Sequence, residues 1–72
     1  MSDIRIDVDN ALYWDLAVPS DDVSAGVAGG WVTLRGDVEW PYQKSCAEAD
    51  VLRVLGVKGV TNKIVVSSHQ YQ

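Results

Sequence analysis

Two adjacent glycines, Gly29 and Gly30, separate two stretches in which apolar and polar residues alternate. No other feature restricts the fold of this chain as narrowly. Before the glycines, Val23, Ala25 and Val27 alternate with Ser24, Gly26 and Ala28. After them, from Trp31 to Glu39, Val32, Leu34, Gly36 and Val38 share one face; Trp31, Thr33, Arg35, Asp37 and Glu39 share the other. A period of two belongs to a strand, and paired glycines supply the positive φ that a two-residue turn needs. The segment predicts a β-hairpin with one buried and one wet face.

The flanks have a different period. Residues 3–15 set Ile4, Val8, Ala11 and Leu12 at helical spacing, with Ser2 as N-cap and Asp3 in the first turn. Ile6, Asn10 and Tyr13 point away from that stripe. Pro19 disfavours helix at Val18, and Ser20-Asp21-Asp22 is turn chemistry. Beyond the hairpin, Trp40-Pro41 closes the strand, with Pro41 suited to a first helical position. Tyr42 to Leu55 then carries Ala47, Val51, Val54 and Leu55 on one stripe. Gly56 fits a left-handed C-cap, with Arg53 in the last turn and Lys58 just beyond. A last strand, Val60 to Ser67, alternates Val60, Asn62, Ile64 and Val66 with Thr61, Lys63 and Val65. The polar tail Ser68–Gln72 is expected to fray.

A hairpin followed by a right-handed crossover puts the last strand beside the second and parallel to it. The expected fold class is α+β, an αββαβ two-layer sandwich with two helices on one face of a three-stranded mixed sheet. It forms a single domain over residues 1–72, with an ordered core of about residues 3–67 and no internal repeat.

Size and composition narrow the chemistry. Seventy-two residues hold one core at most. One cysteine (Cys46) and one histidine (His69) rule out an internal disulfide and disfavour a Cys/His zinc site. Packing must therefore carry the fold, with Cys46 as a half-buried residue beside Ala47. The net charge of −4 argues against a nucleic-acid partner bound through its phosphates. That charge is uneven: residues 1–22 hold six Asp and one Arg, whereas residues 23–72 hold four acids and five bases. An anion-facing surface is expected in the later part. The first ten residues lack the basic and apolar regions of a signal peptide, and no 18-residue apolar run occurs.

Motifs that could carry catalysis or ligands fail on their own spacing. Asp7-Val8-Asp9-Asn10 resembles the start of a calcium loop, but Leu12 stands where glycine is needed and Val18 where Glu is needed. Gly26, Gly29 and Gly30 are followed by a strand, so their N–H groups would not converge on a phosphate at a helix start. Gly36, inside a strand, marks a bulge or the close approach of a helix. No catalytic residue, metal or cofactor is expected. The aromatics say more: three Trp and three Tyr with no Phe favour surfaces with one wet end. Trp14 and Trp40 are expected to cap the ends of the core. Trp31 fits equally well as a cover for the hairpin or as an interfacial side chain. An interfacial role would join such rings to Arg35, Lys44, Lys58 or Lys63.

Three segments in register resemble one family, the bacterial osmotically inducible and nodulation (BON) domain. Ala11-Leu12, with Asp15 a few residues on, matches the end of its first helix. Gly30-Trp31-Val32-Thr33-Leu34-Arg35-Gly36-Asp37-Val38 matches its strand pair. Gly56-Val57-Lys58-Gly59-Val60-Thr61-Asn62-Lys63-Ile64-Val65-Val66 matches its last strand, so the likeness covers about residues 4–66. Leu12, Gly30, Val32, Leu34, Gly36, Val38, Gly56, Val57, Val60 and Asn62 are its structural positions in this chain. The resemblance implies a non-catalytic module that associates with phospholipid or a membrane surface in bacterial envelope or osmotic-stress proteins. Such modules are often periplasmic and often occur in tandem. The contact residues it suggests here are Trp31, Arg35 and Lys63, with Tyr42 and Lys44. The alternative is an interaction repeat that packs on neighbouring BON copies or on an oligomeric partner, motivated by the exposed positions Ile6, Tyr13 and Leu52.

Overall fold

A computed structural model describes residues 4–67. Ser2 and Asp3, expected at the helix start, and His69 with the polar tail Ser68–Gln72, expected to fray, lie outside them. The hairpin forms as the alternation requires. Strand β1 (Val23–Ala28) pairs antiparallel with β2 (Trp31–Val38), from Ala28 opposite Trp31 to Val23 opposite Gly36. Gly29 and Gly30 have φ of 58° and 85°, the left-handed conformation required at both centres of a tight hairpin turn. Strand β3 (Gly59–Val66) runs parallel to β2, so the sheet is mixed with order β1-β2-β3.

Helix α1 (Ile4–Tyr13) packs over β1, and helix α2 (Pro41–Leu52) packs over β2 and β3. Even-numbered positions of β2 face the helices. Val32, Leu34 and Val38 meet Val8 and Leu12 of α1, Ala47 and Val51 of α2, and Ile64 of β3 in one buried cluster. Val18 and Val23 close the cluster between α1 and the sheet, and Cys46 packs half-buried against it. This is the expected α+β sandwich.

Helix α2 begins as its sequence predicts. Pro41 takes the first helical position, after an extended Trp40. The Gln43 side chain reaches back, its Oε1 accepting the N–H groups of Glu39 and Trp40 at 3.0 Å each. The end of the helix differs from expectation. It stops at Leu52 with Arg53 as C-cap, and Leu55, expected on the apolar stripe, is 91% exposed. Three-residue hydrogen bonds from Arg53 to Asp50, Val54 to Val51 and Val57 to Val54 tighten the chain as it turns toward β3. The 3.6-residue period is lost there, and Leu55 swings outward. Gly56, with φ of 95°, lies in the turn after the helix, where an added Cβ would come within 2.9 Å of Ile4 Cδ1. Gly36 is also approached closely, but by the backbone of Asp22 and Val23 and not by a helix.

Asn62 shows why an amide stands among the apolar positions of β3. Its Nδ2 donates to the Lys44 carbonyl at 3.1 Å and to Glu48 Oε1 at 3.2 Å, tying β3 to α2. Its Oδ1 accepts the Ile64 N–H at 3.1 Å. Asn62→Ala leaves these groups half-buried without that partner and is expected to cost about 1–1.5 kcal/mol in urea unfolding. A loss of less than a few tenths would show that water replaces the amide freely.

Candidate functional site

The face of the sheet turned away from the helices carries the odd-numbered residues of β2 and β3. Register sets Trp31 beside Gly59, Thr33 beside Thr61, Arg35 beside Lys63 and Asp37 beside Val65. Ser24, Gly26 and Ala28 of β1 complete the face opposite Arg35, Thr33 and Trp31. Trp31 is 48% exposed, and its Nε1 donates to Thr61 Oγ1 at 2.7 Å. Its ring lies so close over Gly59 that a Cβ at residue 59 would overlap it. The indole is thus both cover and surface: one side lies on β3, while part of the ring meets solvent. A shallow trough beside it is lined by Ser24, Gly26, Ala28, Thr33 and Arg35, because the β1 side chains on this face are small.

Like charges on adjacent strands repel, and this arrangement costs stability when nothing compensates it. Arg35 and Lys63 are such a pair. The face therefore offers two neighbouring cations, an indole with its N–H already bonded, and hydroxyls from Thr33 and Thr61. The Asp37 carboxylate, two residues along β2 from Arg35, offsets part of the cations' repulsion. It holds no nucleophile with an adjacent base. Its chemistry suits contact with an anionic group and with partly apolar surface.

The five residues suggested as contacts do not form one patch. Trp31, Arg35 and Lys63 share the open face. Tyr42 and Lys44 stand on α2 in the opposite layer, where the Lys44 carbonyl meets Asn62. Trp40 is more than half exposed at the start of α2. Trp14, expected to cap the core, is 75% exposed and meets Tyr13 edge to face, with ring centroids 5.2 Å apart. The chain leaves α1 at Tyr13 and turns through Asp15 to bury Val18, which takes the capping place instead.

A second polar feature lies between the helices. Asp50 of α2 is only 9% exposed, and its Oδ2 is buried without a donor among the described residues. Burial raises its carboxyl to about 6, helped by a hydrogen bond to Asp15 and by the charge of Asp15, while Arg53 opposes the shift. Asp15 is held below the usual range by its hydrogen bond with Asp50, by the Ala17 N–H at 2.9 Å and by Arg53. A proton on Asp50 turns its carboxyl into a donor toward Asp15. Sequence reading missed this pair, although Asp50 falls on the stripe between Ala47 and Val54. A carboxylate on an apolar stripe was the available signal.

Among the described residues, no group of three or more His, Cys, Asp or Glu side chains could hold a metal ion. No described helix is long and apolar enough to cross a membrane. Compared with protein families, residues 2–68 match the BON domain. No curated protein matches the chain.

Proposed function

The chain belongs to the BON domain family, a family of non-catalytic binding modules, and from that premise we propose that it binds phospholipid headgroups through its open sheet face. The observation that carries this reading is the Arg35–Lys63 pair, in register beside a half-exposed Trp31. A phosphate placed across two adjacent cations relieves their repulsion, and an indole next to it is suited to the headgroup level. Tyr42 and Lys44, in the other layer, would contribute only to a separate contact.

The net charge opposes approach to an anionic bilayer as a whole. Binding by a single domain is therefore local and weak. Several copies on a longer chain would raise the effective concentration at the membrane without any new contact. A tandem module in a bacterial envelope or osmotic-stress protein, periplasmic or otherwise facing the membrane, is the setting this supports. The alternative reading, a repeat packing on neighbouring BON copies, is favoured by Ile6, Tyr13 and Leu52, each more than half exposed on the helices.

Co-sedimentation with phosphatidylglycerol and phosphatidylcholine vesicles tests the proposal, using the single chain and a fusion of two copies. Retention on phosphatidylglycerol is expected to be clearest for the fusion. Replacing Arg35 and Lys63 together by Ser should weaken it roughly tenfold or more, at about 1 kcal/mol for each cation near the surface. If even the fusion stays in the supernatant with both vesicle types, headgroup binding is wrong.

A further inference from the structure

The two edges of the sheet are treated differently. On β3 the chain covers one outward group itself: Ile64 donates its N–H to Asn62 Oδ1, and the Asn62 amide is held by Lys44 and Glu48. Among the described residues, strand β1 has no such cover. Its residues, Val23-Ser24-Ala25-Gly26-Val27-Ala28, include no charge and no proline, and they pair with β2 one for one, without a bulge. Charges, prolines and bulges are the usual devices that keep an edge from pairing with another strand.

Backbone direction identifies the groups left open. Asp37 donates its N–H to the Asp22 carbonyl at 3.3 Å. Alternation along an antiparallel ladder then turns Ser24, Gly26 and Ala28 toward β2 and points the N–H and C=O of Val23, Ala25 and Val27 outward. The side chains agree. Ala25 and Val27 are only half-buried, whereas Leu34 and Val32, their partners on β2, are fully buried.

The geometry points to a second copy of this chain as the occupant of the β1 edge. The two copies pair antiparallel, β1 on β1, with Ala25 opposite Ala25 and Val23 opposite Val27 of the other copy. This register joins the outward groups through about six hydrogen bonds and keeps all helices on one side of a continuous sheet. The charges complement one another. Asp21 and Asp22 stand at the start of β1, and Lys58 lies against Gly30 at the hairpin end, its N–H bonded to the Gly30 carbonyl at 2.7 Å. A two-fold axis through Ala25 brings the acidic end of each copy to the Lys58 end of the other. Nothing stands within 4 Å of a Cβ placed on Gly26, so the small-residue troughs of the two copies merge between their Trp31 and Arg35 side chains. One edge strand per copy is a small interface, and the association is accordingly weak. This inference does not rest on lipid binding and is tested without membranes.

Sedimentation equilibrium of the full chain, from about 20 μM to about 1 mM, suits an interface at the low end of the size range. The average mass should climb from 7.9 kDa toward twice that value. Ala25→Pro removes an outward N–H while sparing the ladder to β2, and should weaken association at least tenfold with its circular dichroism unchanged. A chain that stays at 7.9 kDa near 1 mM overturns the proposal; so does a folded Ala25→Pro variant that associates as well as the parent. Should that variant fail to fold, concentration-dependent amide shifts of the unmodified chain decide the matter. Shifts confined to residues 23–28 support β1 pairing, and shifts centred elsewhere, or none, refute it.

Discussion

Gly36→Ala is expected to cost about 3–5 kcal/mol, enough to leave a domain of this size largely unfolded at 25 °C. Gly36 has φ of 139°, a conformation that residues with a Cβ rarely adopt. The added carbon would also overlap the Asp22 carbonyl oxygen and lie 3.0 Å from Val23 Cα and 3.1 Å from the Asp22 carbonyl carbon. These are backbone atoms, and no side-chain rotation can move them aside. Displacing Asp22 would break the hydrogen bond its carbonyl accepts from Asp37, and would disturb its own N–H bond to the Pro19 carbonyl at 2.8 Å. The first rung of the hairpin and the entry from α1 fail together. Gly26→Ala is the control: its φ is not positive and space above it is open, so its effect should stay within about 1 kcal/mol and can be stabilising. Urea unfolding followed by tryptophan fluorescence compares the two. A cost below about 1 kcal/mol for Gly36→Ala would mean that the strand relaxes around the added carbon instead of holding Asp22 against it.

Asp50→Asn should stabilise the domain by about 2 kcal/mol at pH 7.5 and flatten its stability profile between pH 4 and 7. In the native state the Asp50 carboxyl titrates at about 6, against 3.8 for an ordinary Asp. The folded chain therefore keeps a proton that the unfolded chain has lost. Stability from this group is full below about pH 4 and is lost as the pH rises through about 6. Asp15 acts in the opposite sense, since its lowered carboxyl adds stability above the ordinary range and gives it up as the pH falls below it. Across pH 4 to 6 the Asp50 contribution governs the slope. An asparagine at position 50 can donate Nδ2 to the Asp15 carboxylate at every pH, taking the part of the protonated acid without its titration. Thermal melts at half-unit pH steps check both halves. If the parent is more stable at pH 7.5 than at pH 5, or if Asp50→Asn is destabilising at pH 7.5, the raised titration of Asp50 is wrong.

Parts of the open face were legible before the fold was known. Alternation alone puts Trp31 and Arg35 on one side of β2, because a strand turns successive side chains to opposite faces. Lys63 was less accessible: its place beside Arg35 depends on the register of a parallel strand that arrives after a helix. Tyr42 and Lys44 illustrate the opposite case. They are near Trp40 in the chain, yet α2 carries them into the other layer. Leu55 obeyed the helical period on paper, but the turn toward β3 ended that period first.

The sequence by itself determined the order of elements, the hairpin with its glycine turn and the two faces of β2. These follow from local quantities: the period of apolar residues, the φ available to glycine and the φ imposed by proline, each acting within a few neighbours. Only the tertiary structure decided that Asp50 is buried beside Asp15, that Trp31 is tied across to Thr61, and that Asn62 covers an outward N–H of β3. Those contacts join residues up to 35 positions apart, and their existence depends on how two helices settle on one twisted sheet. Packing sums many small terms over the whole core, and no stretch of sequence contains that sum.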